Sequence, residues 1–124
     1  MSKNQSFPQT PLLEVIVDGI EDKKGEQIVV MDLTDIDNAV CDYFVVCQAN
    51  SDTQVGAIAR SVEDKVREVL KEKPWHTEGK ANAEWVLMDF VDTVVHIFRK
   101  DVRDFYAIEE LWGDAPVFEI EEKY

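Results

Sequence analysis

The pattern that most constrains this chain begins at Ser51. From there Val55, Ile58, Ala59, Val62, Val66, Val69 and Leu70 recur at i, i+3, i+4 and i+7 spacing, which is one helical face turned toward a core. Ser51 and Gln54 supply a capping box at the start. Lys65, Arg67, Lys71 and Lys73 load the second half with positive charge that suits the C-terminal end of a helix dipole, and Pro74 stops it. Short apolar segments of β character lie on both sides, at 43–47 before the helix and at 75–78, 84–90 and 93–98 after it. A helix of about 20 residues between strands is long enough for a crossover connection, so the chain is predicted to build a mixed sheet with helices packed against it.

The remaining elements follow from local signals. Residues 1–9 read as a loose tail, and residues 10–116 as a single domain. Thr10 is a helix N-cap with Pro11 in the first turn. Leu12, Leu13, Ile16, Val17 and Ile20 form the apolar stripe, and Gly25 is expected to end the helix. Residues 27–33 are a β-branched strand and 34–38 a polar loop. Residues 43–47 are apolar on both faces, as in a central strand covered on both sides. Residues 84–90 and 93–98 pair as a hairpin. With Val91-Asp92 as the turn, Met88 opposes Val95 and Val86 opposes Ile97, while Trp85, Leu87 and Asp89 share the other face with Phe98, His96 and Val94. Asp101 caps a last helix carrying Phe105, Ile108, Leu111 and Trp112, closed by Gly113, and residues 117–124 read as a mobile acidic tail. The expected fold is α/β, a mixed five-stranded sheet flanked by helices.

Composition narrows the function classes. The 124 residues suffice for one domain burying about two-thirds of its unfolded surface. Apolar runs reach only about six residues, far short of the roughly 20 a membrane span needs, and residues 1–11 lack the apolar segment of a secretory signal. The expected compartment is the cytoplasm, with no membrane partner. A net charge of −13 repels phosphate backbones and disfavours direct nucleic-acid binding, whereas a basic protein would be attracted and steered. The same charge also serves simply to keep a protein soluble. Cys41 and Cys47 would lie roughly 20 Å apart on an extended strand, beyond disulfide reach, and are expected to be free thiols.

Candidate chemistry is sparse. Asp35 and Asp37 would make a metal-binding carboxylate pair, but no Gly-Ser dipeptide accompanies them to hold a triphosphate, and the alternative is a turn after a strand. Asp89 and Asp92 are a second carboxylate pair, which reads as general acid–base groups, as hairpin-tip turn formers or as contacts to a basic partner. His96, inside an apolar strand, reads either as a hydrogen-bonded core residue or as part of a docking face beside Trp85. Cys47 sits among apolar neighbours that raise a thiol pKa, so it is expected to be core packing. Trp85, Tyr106 and Trp112 are core or interface aromatics; Trp112, just before Gly113, suits packing of the last helix onto the sheet. No cofactor is implied.

The segments Trp85-Val86-Leu87-Met88-Asp89, Asp92-Thr93-Val94-Val95-His96-Ile97-Phe98, Arg103-Asp104-Phe105-Tyr106 and Leu111-Trp112-Gly113-Asp114-Ala115-Pro116 resemble the ribosomal silencing factor family, the Iojap-related proteins. Upstream, Asp42-Tyr43-Phe44-Val45-Val46, Asn50-Ser51, Gln54 and Glu78-Gly79 match in the same order, so the resemblance covers residues 12–116. It implies a relative of the nucleotidyltransferase fold without its chemistry. It also implies a non-enzyme that binds the large ribosomal subunit through its fourteenth protein, blocks joining to the small subunit, lowers translation under nutrient limitation, and self-associates when free. The residues expected to meet the partner are Glu78, Gly79, Glu84, Trp85, Asp89, Asp92, His96 and Tyr106, with Trp85 as anchor and the carboxylates as an acidic rim. Val91 departs from the family, which often has glycine there, and residues 119–124 lie beyond the match. The alternatives are a nucleotidyltransferase-like enzyme and an acidic adaptor for another basic protein.

Overall fold

The crossover helix forms, and its cap does more than close its own first turn. In the computed structural model, which describes residues 7–106 and 113–121 with side chains in the last helix described only through Arg103, this helix spans Asp52–Leu70. The Ser51 hydroxyl accepts the Gln54 amide at 3.1 Å, while the Gln54 side-chain oxygen accepts from Asn50 rather than from Ser51 itself, at 2.8 Å. The other end of the same amide donates to the carbonyls of Lys23 and Lys24 at 3.0 and 3.2 Å. One side chain therefore starts this helix and ties it to the end of the preceding one.

In chain order the elements are α1 (Pro11–Asp22), β1 (Glu26–Asp32), β2 (Tyr43–Ala49), α2 (Asp52–Leu70), β3 (His76–Glu78), β4 (Trp85–Asp89), β5 (Thr93–Arg99), α3 (Lys100–Tyr106) and β6 (Val117–Glu119). The sheet order is β3-β4-β5-β2-β1-β6. Among the described residues only β2 and β5 run parallel, from Tyr43 opposite Thr93 to Ala49 opposite Arg99. The hairpin register matches the expectation, with Met88 opposite Val95 and Val86 opposite Ile97. Among the described residues the sheet has six strands rather than the expected five. The sixth, Val117–Glu119, falls in the stretch expected to be an acidic tail and pairs antiparallel with β1. Three residues are too few to show strand alternation, and their partner lies far upstream in sequence. Ile120 just beyond it is buried, and its amide donates to Ile28 at 2.8 Å. At the other end Phe7, expected in a loose tail, is a buried core residue.

Both long helices cover one face of the sheet. Leu13, Ile16, Ile20, Ile58, Val62 and Val66 meet Val30, Val45, Cys47, Val86, Val95 and Ile97 in a continuous apolar core. The helices approach closely at Gly19, where an added Cβ would sit 3.0 Å from the Val62 Cα, and the Ser61 hydroxyl donates to the Gly19 carbonyl at 2.8 Å. Lys65 bridges Asp18 and Asp22 across the same crossing at 3.0 and 2.8 Å. Two local expectations are corrected. The left-handed residue after α1 is Lys24, at φ +60°, not Gly25. Gly25 is needed for space, since a Cβ there would come 2.4 Å from Ile20 Cγ2. Val69, expected on the core face of α2, is 61% exposed, because Val66 and Leu70 alone meet the core at that end of the helix.

The β4–β5 turn carries backbone strain. Val91 sits at φ +81° and is 65% exposed. Its amide donates to the Asp89 carboxylate at 2.7 Å, which fixes the turn. A β-branched residue in this region costs about 1–3 kcal/mol, and it buries little in return. Val91→Gly is expected to stabilise the domain by about 1 kcal/mol after the entropy glycine adds to the unfolded chain. Equilibrium urea unfolding measures this; a lower midpoint for the glycine variant would contradict the strain.

Candidate functional site

Strand alternation puts Trp85, Leu87 and Asp89 of β4 on the sheet face away from α1 and α2. Phe98, His96 and Val94 of β5 oppose them, and on β3 His76 opposes Asp89 and Glu78 opposes Leu87. A second apolar cluster on this face contains Met31, Leu33, Phe44, Val46 and Phe98, with Trp85, Leu87 and Val102 only partly buried against it. The helix-side core is almost entirely aliphatic, whereas this side stacks rings.

Trp85 is the centre of the stack. Its indole lies on Phe98 with ring centroids 5.0 Å apart and planes inclined by 23°. Its Nε1–H donates to Nδ1 of His96 at 3.1 Å. His96 is 2% exposed and sits edge-on to Phe44 at 4.5 Å. An indole nitrogen can only donate, so Nδ1 of His96 accepts and the imidazole carries its proton on Nε2. The core reading and the docking reading of His96 thus join. It is a buried, hydrogen-bonded residue, and what it holds is Trp85.

Gly79 belongs to the same unit through its backbone. It adopts φ +90°, and a Cβ there would come 2.0 Å from the Trp85 carbonyl oxygen. Its carbonyl accepts the Ala83 amide at 2.9 Å, closing the turn that leads into β4. Glu84 is half-buried, and its carbonyl takes the Arg99 amide at 2.7 Å. Arg99 in turn makes a two-pronged pair with Asp101 at 2.6 and 3.0 Å, which holds the Asp101 carboxyl below the usual carboxylate range. Arg103, 6% exposed, reaches the Gln27 carbonyl at 2.7 Å and the Gln48 side chain at 3.2 Å, pinning α3 to the ends of β1 and β2.

The expected acidic rim is spread along the sheet. Glu78 is exposed and lies 2.7 Å from His76 Nε2. Asp89 shares the Trp85 face but stands four residues along the strand, about 13 Å away, and its side chain is engaged with the Val91 amide. Asp92 lies beyond the end of β4. Its carbonyl takes the Asp42 and Tyr43 amides at 2.9 and 3.1 Å, and it borders a separate groove of about 430 Å³ with Tyr43, Leu70, Glu72 and Val91. Burial, then the carboxylates of Asp32, Asp42 and Asp92, raises the Tyr43 hydroxyl pKa. Tyr106 ends α3, and its side chain lies outside the described residues, as do Ile108, Leu111 and Trp112. Trp75, read only as part of a strand, is 78% exposed, and its amide donates to the Asp89 carbonyl at 2.7 Å.

Asp35 and Asp37 are exposed loop residues, and among the described residues no group of three or more His, Cys, Asp or Glu side chains is placed to hold a metal ion. Both cysteines are free. Burial pushes the Cys47 thiol up to about 12 and the Cys41 thiol to about 11, far from a reactive thiolate at neutral pH. Among the described residues no helix is long and apolar enough to cross a membrane.

Comparison with known proteins gives consistent matches. The family model described as "Ribosomal silencing factor during starvation" matches residues 4–124, beyond both ends of the segment quoted above. The ribosomal silencing factor of Halalkalibacterium halodurans is 43% identical over 110 residues, covering 89% of this chain and 92% of that protein. That of Bacillus subtilis is 42% identical over 115 residues, covering 91% and 94%. A solved structure of a protein from Chromobacterium violaceum superposes with a TM-score of 0.77 at 32% identity, covering 98% of this chain and 97% of that one.

The backbone dependence of Trp85 is open to test at Gly79. Gly79→Ala combines a left-handed φ with a collision against the Trp85 carbonyl, so it is expected to cost about 1–3 kcal/mol and to change the near-ultraviolet circular dichroism of the ring stack. A variant with unchanged stability and unchanged aromatic signal would show that the turn does not set the position of Trp85.

Proposed function

The chain belongs to the ribosomal silencing factor family, and from that premise we propose that it docks on the large ribosomal subunit and keeps the small subunit from joining. The proposed receptor is a basic ribosomal protein on the joining face, the fourteenth of the large subunit as the family resemblance implies, and the proposed outcome is lower translation when nutrients are scarce. The observation that carries this reading is Trp85, half-buried on the sheet face that α1 and α2 leave open. It is held by a ring stack and a hydrogen bond, with Glu78 and Glu84 near its end of the strand. Interfaces use such aromatics because they bury a large area at low entropy cost. The net charge of −13 steers a basic partner toward the surface before contact.

The mechanism needs no turnover. A globule of 124 residues has a radius of gyration near 14 Å and a diameter of roughly 35 Å, so a body of that width seated on the joining face obstructs closure by volume alone. The proposed setting is the cytoplasm, where the subunits meet. Self-association of the free protein belongs to the same reading, and sedimentation velocity across a concentration series tests it.

Purified protein at micromolar concentration is expected to co-sediment with large subunits and to slow their association with small subunits in light scattering. Trp85→Ala should weaken binding at least tenfold, in line with loss of a central aromatic contact of about 2 kcal/mol, while circular dichroism shows a folded domain. Asp92→Ala, beside the separate groove, should cost under about 1 kcal/mol and mainly at low salt. Unchanged subunit association in the presence of the wild-type protein would defeat the proposal. Full-strength binding by a folded Trp85→Ala variant would remove Trp85 as the anchor.

A further inference from the structure

We propose that His96 is a positioning residue for docking: it latches the Trp85 indole in the pose that a partner meets, and it takes up the indole N–H internally so that the partner binds Trp85 by ring contact alone. This rests on the docking reading above and deepens it.

Three observations carry the inference. His96 is 2% exposed, so it cannot itself provide contact area to a partner. Its Nδ1 lies 3.1 Å from the indole nitrogen of the half-buried Trp85, which has a single proton to donate. The imidazole is itself fixed by edge-on packing against Phe44 at 4.5 Å, and the indole by stacking on Phe98 at 5.0 Å. An exposed tryptophan ordinarily offers an apolar body and a polar handle, and interfaces commonly engage both. Here the handle is already engaged inside the protein. The partner surface facing Trp85 therefore needs no hydrogen-bond acceptor for it. What suits that position is an apolar stem or a cation lying against the ring, which a basic protein supplies through lysine and arginine side chains.

The energetic role of the latch is a matter of populations. A docking pose occupied only part of the time lowers apparent affinity by that fraction. The histidine removes this loss by holding one indole orientation before the partner arrives.

The test is a double-mutant cycle with a spectroscopic readout. His96→Phe keeps a flat buried ring and deletes the acceptor, Trp85→Phe keeps an aromatic and deletes the donor, and the double variant lacks both. Each single change is expected to weaken large-subunit co-sedimentation by about fivefold, and the double variant should be no weaker than the worse single one, because both remove the same hydrogen bond. In ¹⁵N–¹H spectra the indole resonance of Trp85, assigned by its loss in Trp85→Phe, should move in His96→Phe and exchange faster with solvent. His96→Asn, whose side-chain oxygen can stand in for Nδ1, should restore the resonance and the binding. If His96→Phe does not fold, His96→Leu replaces it in the cycle. Fully additive losses, wild-type binding by His96→Phe, or an indole resonance indifferent to His96 would overturn the latch. If the wild-type chain does not bind large subunits, the docking reading fails instead, and the indole spectra still decide whether His96 holds Trp85.

Discussion

The parallel pairing of β2 with β5, from Tyr43 opposite Thr93 to Ala49 opposite Arg99, is the constraint on which the rest of this structure depends. Two parallel neighbours cannot be joined by a tight turn, so the chain must leave the sheet, cross one face and return. α2 makes that crossing, and α1 packs against it where Gly19 and Ser61 allow close approach. Both long helices consequently lie on the same side. The side of β3, β4 and β5 turned away from these helices carries rings and half-buried side chains, and Trp85 stands among them as a result of topology before any question of function arises.

The two faces divide the work chemically. Aliphatic side chains on the helix side interlock with few polar demands and give the domain its apolar core. The opposite face contains groups with directional needs, an indole N–H taken by Nδ1 of His96 and a buried guanidinium held by Gln27 and Gln48. Directional contacts specify orientation more than they add stability. A face built from them presents one defined shape, which is what recognition by surface contact requires.

Much of the fold was legible because its signals are local. The caps at Thr10 and Ser51, the stripes of α1 and α2, and the two-residue alternation of β4 and β5 each announce themselves within a short window, and the alternation alone brought Trp85 and His96 to one face. The readings that failed depend on distant partners. Phe7 and the sixth strand are ordered by contacts with residues remote in sequence, and no periodicity marks either. Gly25 suggested a left-handed helix end, yet the constraint there is the bulk of Ile20. At the candidate site, Gly79 was picked out by resemblance, while its physical role, room for the Trp85 carbonyl, exists only once the turn has folded. Asp92 was grouped with Trp85 in one acidic rim, and the length of β4 lies between them.

The sixth strand has a consequence for how the protein is made. β1 is among the first elements synthesised, yet its outer edge is paired only when Val117–Glu119 arrives. At translation speeds of about 5–20 residues per second, that edge stays open for several seconds. During that interval Val29, Val30 and Met31 present an apolar ladder able to recruit a strand from another chain. A message truncated just before Val117 would encode α1 to α3 and β1 to β5 and still yield a polypeptide with the β1 edge unsealed. Its hazard to the cell would be aggregation during synthesis, added to the loss of the buried Ile120 from the core.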